Sequence, residues 1–389
     1  MERVWTDRLD LSELRPKDEV ASGYTRFAEG DLLLPKITPT FEAGRASIAT
    51  DLAGGVGAGT TELHVLRPNR LAHPRWLLHF LNHRTFLRRG HADMYGVAGQ
   101  KRISEEFVKS YPVDLPSMED QRRVADYLDL ETARIDELIA EQQRQRELIE
   151  EHRHAQISVA LGARVGGPSS GLDGVLRQLP DGWELIPLRA VAVIQSGLTL
   201  GKAYDGKLEE RPYLRVANVQ SGSLDLAEVS TLEVSAVVAS RCGLRDGDVL
   251  MTEGGDNDKL GRGTVWRNEI EGCLHQNHIF AVRPRKDRLR PRYLAYLTGS
   301  SWGRAYFTAT AHQTTNLAAT NRTKVGRFPI PLPPPDEQDR ILGELLGSEQ
   351  RLTALDAALE GQILLLQEHR QALITHAVTQ GIDGLPGVA

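Results

Sequence analysis

The chain has 389 residues, 40% hydrophobic and 25% charged, with a net charge of −5, the composition of a globular protein of two or three domains. No run of about 18 apolar residues is present, which argues against a membrane-spanning helix, and the charged start MERVWTDRLD lacks the apolar core of a signal peptide. Two cysteines, Cys242 and Cys273, fit a reducing cytoplasm better than a disulfide framework.

In chain order, a mixed stretch with short β-rich pieces comes first. It holds "EGDLLL" around Gly30 and Asp31, then Gly44-Arg45, "HVLRP" around Arg67, and "HPRWLLHFL" around Pro74. A Leu-Pro segment, "YPVDLPSMEDQ", opens a helical pattern with Ser117 as an N-cap candidate. From Ala133 to Leu161 there is no Gly or Pro, and Glu, Gln, Arg, Leu and Ala dominate. Ile135, Leu138, Ile149 and Val159 are expected on a seam of three-and-four spacing. Gln142, Gln145, His152 and Gln156 occupy places where a strict zipper is apolar. Roughly 29 helical residues at 1.5 Å each reach on the order of 45 Å.

The same order then returns 217 residues on. "DGDVLM" repeats Gly30-Asp31 as Gly247-Asp248, Gly261-Arg262 repeats Gly44-Arg45, and "RPRYLAYLT" around Pro291 repeats the stretch around Pro74. "FAVRP" returns at an offset of 216, and "LPPPDEQ" at Leu332 repeats "LPSMEDQ" at Leu115. β-rich pieces are expected at "DVLMTEG" and "IFAVRP". The second helical pattern places Leu352, Leu355, Leu359, Leu366 and Leu373 on the seam, with Asp336 as its N-cap candidate. "EHRHAQI" from Glu151 and "EHRQALI" from Glu368 close the two helices. Such a period is too long for a solenoid or propeller, so it denotes a duplicated unit of one domain plus one helix. Two helices of similar length in one chain most naturally pack antiparallel. Gly347, matching Leu130-Glu131, predicts a short leading helix and then a bend. The second domain opens with "LPDGWELIPLRAVAVIQSGLTLG" at Leu179. Its counterpart would precede Met1, so about 39 residues of the first domain are expected to be missing.

Charge is unevenly placed. Residues 119–164 hold 11 acids against 7 Lys/Arg and residues 336–389 hold 9 against 3, whereas residues 64–102 hold 8 Lys/Arg against 1 acid and residues 258–335 hold 13 against 4. Two cationic stretches at matching places beside acidic helices suit a protein that grips one polyanion at two places. No phosphate-loop or H-E-x-x-H motif occurs, and no Asn-Pro-Pro-aromatic tetrapeptide is found. His79 and His83 in "HFLNH" have metal-ligand spacing but lack a Glu and a third ligand, so surface histidines near an Arg cluster are expected. "EGGDND", Glu253 to Asp258, reads as a loop after a strand, with a cation or nuclease centre as the alternative. Cys242 and Cys273 read as small core residues.

The Leu-Pro-x-x-x-x-Gln openings, the two helices behind them and the Glu-His-Arg-x-x-x-Ile closings (Ile157, Ile374) resemble the specificity subunit of type I restriction-modification systems, over essentially the whole chain. The resemblance implies an α+β fold: two repeated α/β target recognition domains alternating with two long helices that pair as an antiparallel coiled coil. The expected boundaries are 1–114, 115–165, 166–331, 332–382 and a tail at 383–389. The resemblance also implies that each domain reads one half of a bipartite site on double-stranded DNA. The helices would set the spacing and dock two methylation subunits, with motor-nuclease subunits able to join. S-adenosylmethionine and ATP would bind those partners, leaving this chain a non-catalytic cytoplasmic subunit without a cofactor of its own. A DNA-modifying enzyme with an unrecognised site, or a non-DNA coiled-coil adaptor, are the rival readings.

Arg suits guanine and Asn or Gln suit adenine, while Lys, Arg, Ser and Thr meet phosphates. On that ground the DNA-contact candidates in the second domain are Lys259, Arg262, Arg267, His312, Gln313, Thr314, Thr315, Asn316, Asn321, Arg322 and Lys324. In the first they are Lys36, Arg45, Arg88, Arg89, Gln100, Lys101 and Arg102. Arg45 and Arg262 beside glycine could instead be structural. His152, Arg153, His369 and Arg370 are candidates for partner docking, or close the helical pair.

Overall fold

The computed structural model describes residues 3–20, 22–96, 100–161, 179–201, 206–220, 222–255, 260–261, 263–313 and 318–388. Lys259, Arg262, Thr314, Thr315 and Asn316 therefore lie outside the described residues, as do the acids of "EGGDND" after Glu253. The class is mixed helix and sheet. The chain packs as two compact units, Met1–Gln145 with Ala358–Ala389, and Arg146–Ala357.

The first unit begins with strands β1 (Val4–Trp5), β2 (Arg8–Leu9), β3 (Thr25–Ala28), β4 (Leu32–Pro35), β5 (Ser47–Ile48), β6 (Val56–Gly59) and β7 (Leu63–Leu66). Helices α1 (Pro74–Leu81), α2 (Arg84–Asp93), α3 (Glu105–Ser110) and α4 (Met118–Ala160) follow. All four residues of β4 are buried, as its continuous apolar run requires, and it pairs antiparallel with β5 and β7. Trp76, Leu78, Phe80 and Leu81 of α1 enter the core beside Phe41, Phe86 and Leu128. Proline at the first position of α1 suits a helix start, where its missing N–H costs nothing.

The second unit continues with β8 (Glu184–Pro187), β9 (Ala192–Ser196), β10 (Leu208–Leu214), β11 (Ser230–Ser235), α5 (Ala236–Cys242), β12 (Val249–Thr252), β13 (Gly254–Gly255), β14 (Gly263–Val265), β15 (Leu274–His275) and β16 (Ile279–Pro284). Next come α6 (Pro291–Gly299), α7 (Ser301–Thr310), β17 (His312–Gln313), β18 (Ala318–Ala319), α8 (Arg322–Arg327), β19 (Pro329–Leu332) and α9 (Pro335–Gln380). Its central sheet runs β14-β12-β16-β9, and β19 pairs with β8. Trp302, Tyr306, Phe307 and Phe328 pack under it with Ile341 and Leu345 of α9.

Matching residues do matching jobs in the two units. Asp31 and Asp248 are 1% and 0% exposed. Each accepts a backbone N–H from three residues back, Ala28 and Arg245. Each also takes a two-pronged guanidinium, Arg67 at 2.7 Å for Asp31 and Arg283 at 2.7 and 2.6 Å for Asp248. The Arg67 hydrogen bonds hold the Asp31 carboxyl below its usual range. Gly30 and Gly247 precede them at φ of 85° and 89°, a conformation that disfavours side chains. The motif glutamines are equally paired. Gln121 accepts from His73 N–H and donates to the carbonyls of Leu71 and Pro116. Gln338 accepts from Arg290 N–H and donates to the carbonyls of Arg288 and Pro333. Each glutamine thus ties the entry of a long helix to the entry of a short one.

Packing differs in one instructive place. A side chain at Gly90 would collide with the ring of Phe41, and one at Gly261 with the ring of Phe307. Phe307 stands at the position equivalent to Gly90, so the ring enters from different elements in the two copies.

The long helices run for 43 and 46 residues without the bend expected at Gly347. A helical glycine costs about 1 kcal/mol against alanine, and the apolar face of α9, with Ile341, Leu342 and Leu345 buried, outweighs it. Ser117 accepts from Asp120 N–H as an N-cap, whereas Asp336 lies inside the first turn of α9, behind Pro335. In the first unit the helices touch through Asp136–Arg370 and Gln142–Gln362. In the second they touch through Arg146–Asp356 and Gln156–Ser348. One number rises as the other falls, so within each unit the two helices of this pair are antiparallel. Ile135, Ile149, Leu359 and Leu373 are buried on the seam. Leu138, Val159 and Leu355, expected there, are 52%, 64% and 50% exposed. The true seam steps through Thr132, Ile135, Ile139, Gln142, Arg146 and Ile149, so those three face away from the partner helix.

Candidate nucleic-acid interface

In both units the candidate site grows from the end of a core strand. Beyond β4, Lys36 and Ile37 continue the chain: Ile103 N–H donates to the Lys36 carbonyl at 2.9 Å, and Ile37 and Tyr95 bridge Arg102. Beyond β12, Glu253 takes the place of Lys36, and Thr320 N–H donates to its carbonyl at 2.8 Å. There β13 pairs with β18 and β18 with β17, Gly254 opposite Ala319 and Ala319 opposite His312. Every one of these pairs maps onto its counterpart at the 217 offset. The fold therefore brings Lys36, Lys101 and Arg102 together in the first unit and His312 and Gln313 together in the second, at one equivalent hairpin.

The chemistry of the two hairpins differs. Lys36 Nζ donates to the Thr61 carbonyl. Arg102 makes two bonds to Glu62, at 2.8 and 2.9 Å, which hold the Glu62 carboxyl below its usual range. Gln100 and Lys101 are exposed beside it. In the second unit His278 and Glu253 pair at 2.7 Å on the surface. The sequence reading missed His278 and named Glu253 only as part of the EGGDND stretch, although aligning Lys36 with its repeat partner points to Glu253. His275 is buried, which lowers its pKa to about 4, and its Nδ1 lies 2.9 Å from the Ile279 carbonyl.

Short helices flank both hairpins. Ser104 caps α3 by accepting from Phe107 N–H, and Asn321 caps α8 by accepting from Lys324 N–H. Asn321 thus has a structural task. Behind equivalent caps the charges reverse: α3 reads EEFVKS and α8 reads RTKVGR. Arg322, Lys324 and Arg327 have no acidic partner among the described residues, while Glu105 is paired with Lys109. Arg267 is exposed and its backbone N–H binds Glu269.

The remaining candidates lie elsewhere. Arg45 stacks over Trp5 at 4.3 Å and Arg89 over Tyr111 at 5.8 Å, while Arg88 is exposed on α2. His152 contacts Gln156, Arg153 pairs with Glu150 and Arg370 with Asp136; His369 is exposed. His79 and His83 are buried rather than superficial, at 6% and 2% exposure. They lie on the inward side of α1 and its exit, His79 against Asp129 and His83 against the Phe80 carbonyl. The local charge counts also overstate the free cations. Arg67, Arg75 and Arg102 pair with Asp31, Asp129 and Glu62, and Arg283, Arg288 and Arg290 with Asp248, Glu184 and Asp339. All six acids come from outside the cationic windows.

No family profile matches the chain. It is 41% identical over 113 residues to the Type I restriction enzyme EcoAI specificity subunit of Escherichia coli, covering 29% of this chain and 19% of that one. It is 43% identical over 113 residues to the EcoEI specificity subunit of the same organism, with the same coverage. The chain is a homologue of type I restriction enzyme specificity subunits. The matched stretch spans about a fifth of each of these relatives. A solved chain described as "Structural basis underlying complex assembly and conformational transition of the type I R-M system" shares the fold at a TM-score of 0.70 and 21% identity, over 92% of this chain and 84% of that one. No described helix is long and apolar enough to cross a membrane, and the described residues hold no cluster of three or more His, Cys, Asp or Glu suited to a metal.

Proposed function

We propose that this chain is the DNA-reading specificity subunit of a type I restriction-modification complex. Each unit reads one half of a bipartite duplex site. The antiparallel α4–α9 pair acts as a coiled-coil spacer that sets the distance between the half-sites and docks two methylation subunits, with motor-nuclease subunits joining for restriction. The chemistry resides in those partners, which bind S-adenosylmethionine and ATP in the cytoplasm, and this chain is non-catalytic.

The observation that carries the reading is the equivalent hairpin. Two copies of one scaffold present polar residues at the same strand extension, but with different side chains, as two readers of different half-sites require. Framework residues such as Asp31/Asp248 and Gln121/Gln338 are held constant, while Lys36/Glu253, Arg102/Ala319 and α3/α8 vary. Base edges are told apart by side-chain identity on a fixed backbone. Arg322, Lys324 and Arg327 then supply phosphate contacts that fix register.

The test is methylated-base mapping in the host genome with the reading frame intact and deleted. A bipartite motif that vanishes on deletion is expected. Exchanging residues 180–331 for a relative's domain should change one half of that motif; a change in both halves, or in neither, refutes the modular reading.

A further inference from the structure

We propose that the first unit is a docking site for an extended strand–turn–strand segment of a partner polypeptide, which adds to the free edge of β7. The two copies of the framework differ in what lies on that edge. In the second unit β16 is flanked on both sides, by β12 and by β9, and its residues 280–284 pair antiparallel with Ala192–Ser196. The counterparts at the 216 offset are residues 64–68. Among the described residues β7 ends the β5-β4-β7 sheet, so no strand lies on its outer side. The cover is missing beside it as well. β19 pairs with β8 through Ile330 and Leu332, which are 0% and 4% exposed. Val113 and Leu115 hold the same places in the first unit, form no strand and are 39% and 45% exposed. α8 buries Val325 and Gly326, where a Cβ would lie 3.3 Å from Ile194 of β9, whereas α3 buries none of its residues.

The first unit nonetheless closes its core: all of β4 is buried, as are Trp76 and Ile103. It is a formed receptor that takes the segment as a ligand, since an open edge offers a row of unpaired N–H and C=O groups. The second unit shows what fits. β9 turns Ala192 and Ile194 inward, at 7% and 6% exposure, and leaves Val193 outside at 59%. Main-chain bonds to β7 supply affinity, and alternate apolar side chains supply specificity. The partner thus carries a short strand of alternating apolar residues, preceded by a second strand that covers Val113 and Leu115. This inference does not depend on the DNA reading.

The test titrates the full chain into a labelled peptide with the sequence of residues 184–196, read by fluorescence anisotropy and by amide hydrogen exchange. Saturable binding is expected, with slowed exchange at residues 63–66 of the unaltered chain. Binding should be at least about tenfold weaker in the Val113→Asp/Leu115→Asp double variant. Both positions are exposed, and an unchanged melting curve verifies the fold. No saturable binding, or equal binding by the double variant, overturns the proposal. So does slowed exchange confined to residues 279–284, which places the peptide on the second unit. If the protein isolated from its host shows by intact mass further residues that already protect 63–66, the edge is filled by its own chain and the partner assignment is overturned.

Discussion

Gln338→Ala should destabilise the second unit by about 4 kcal/mol. The side chain is fully buried and makes three bonds, at 2.8 Å from Arg290 N–H, 2.8 Å to the Arg288 carbonyl and 2.9 Å to the Pro333 carbonyl. Removing the amide strands one donor and two acceptors. A buried group left unsatisfied costs about 1–3 kcal/mol. Two of the bonds are only partly buried, so about 1 kcal/mol each is assigned to them and about 2 to Pro333. Gln338→Glu keeps the acceptor but loses both donations, and should cost nearly as much at neutral pH. Acidification then protonates the carboxyl, restores one donor and recovers part of the loss. Urea unfolding followed by circular dichroism measures both variants, and Gln121→Ala should act likewise on the first unit. A loss below about 1 kcal/mol for Gln338→Ala would refute the view that this motif residue locks the helix entry.

Other outcomes follow from single contacts. Arg146→Asp should cost about 1 kcal/mol, and adding Asp356→Arg should restore most of it, since the pair is about a third exposed; a urea double-mutant cycle reads the coupling. Burial disfavours the Asp129 carboxylate, but hydrogen bonds from His79 and Arg75 outweigh it and hold the pKa at about 2. With the folded value depressed, its stabilisation is full above pH about 4 and is lost as pH falls towards 2; Asp129→Asn should flatten that part of the stability–pH curve. Burial pushes the Cys273 thiol up to about 12, so it should resist iodoacetamide at pH 8 until urea unfolds the chain, as mass spectrometry of alkylated peptides would record. Gly261→Ala should lose more than about 2 kcal/mol, because its φ is +76° and the new Cβ would lie 2.2 Å from Phe307.

The duplicated framework was legible because it is written in residue types with one job. A Gly-Asp turn, an Arg at the end of the neighbouring strand and a Leu-Pro…Gln opening recur at near-constant spacing, and Asp31/Arg67 and Gln121/Gln338 make the bonds that preserve them. What the sequence hid depends on tertiary partners. Gly347 signals a bend by propensity, yet packing of Leu342 and Leu345 keeps α9 continuous. Leu138 and Leu355 satisfied a loose three-and-four rule, but the polar seam residues Gln142, Arg146 and Asp356 set the actual phase. The cationic windows were tallied without the distant carboxylates that folding brings against them. The hairpin candidates were partly legible, since Lys36, Lys101 and Arg102 are adjacent only after Ile103 docks on Lys36. His278 carried no signal, and Glu253 stood out only as part of the acidic EGGDND stretch until the repeat alignment set it opposite Lys36.

The exchanged positions of the buried phenyl ring limit how such lobes can be recombined. Grafting α7 in place of α2 would bring Phe307 to the site of Gly90, where the ring of Phe41 already sits; the reverse graft would leave an empty slot over Gly261. A crossover inside a lobe therefore yields either two rings in one space or none. Viable chimeras must break at the long-helix entries, so that each lobe is exchanged whole with its own ring.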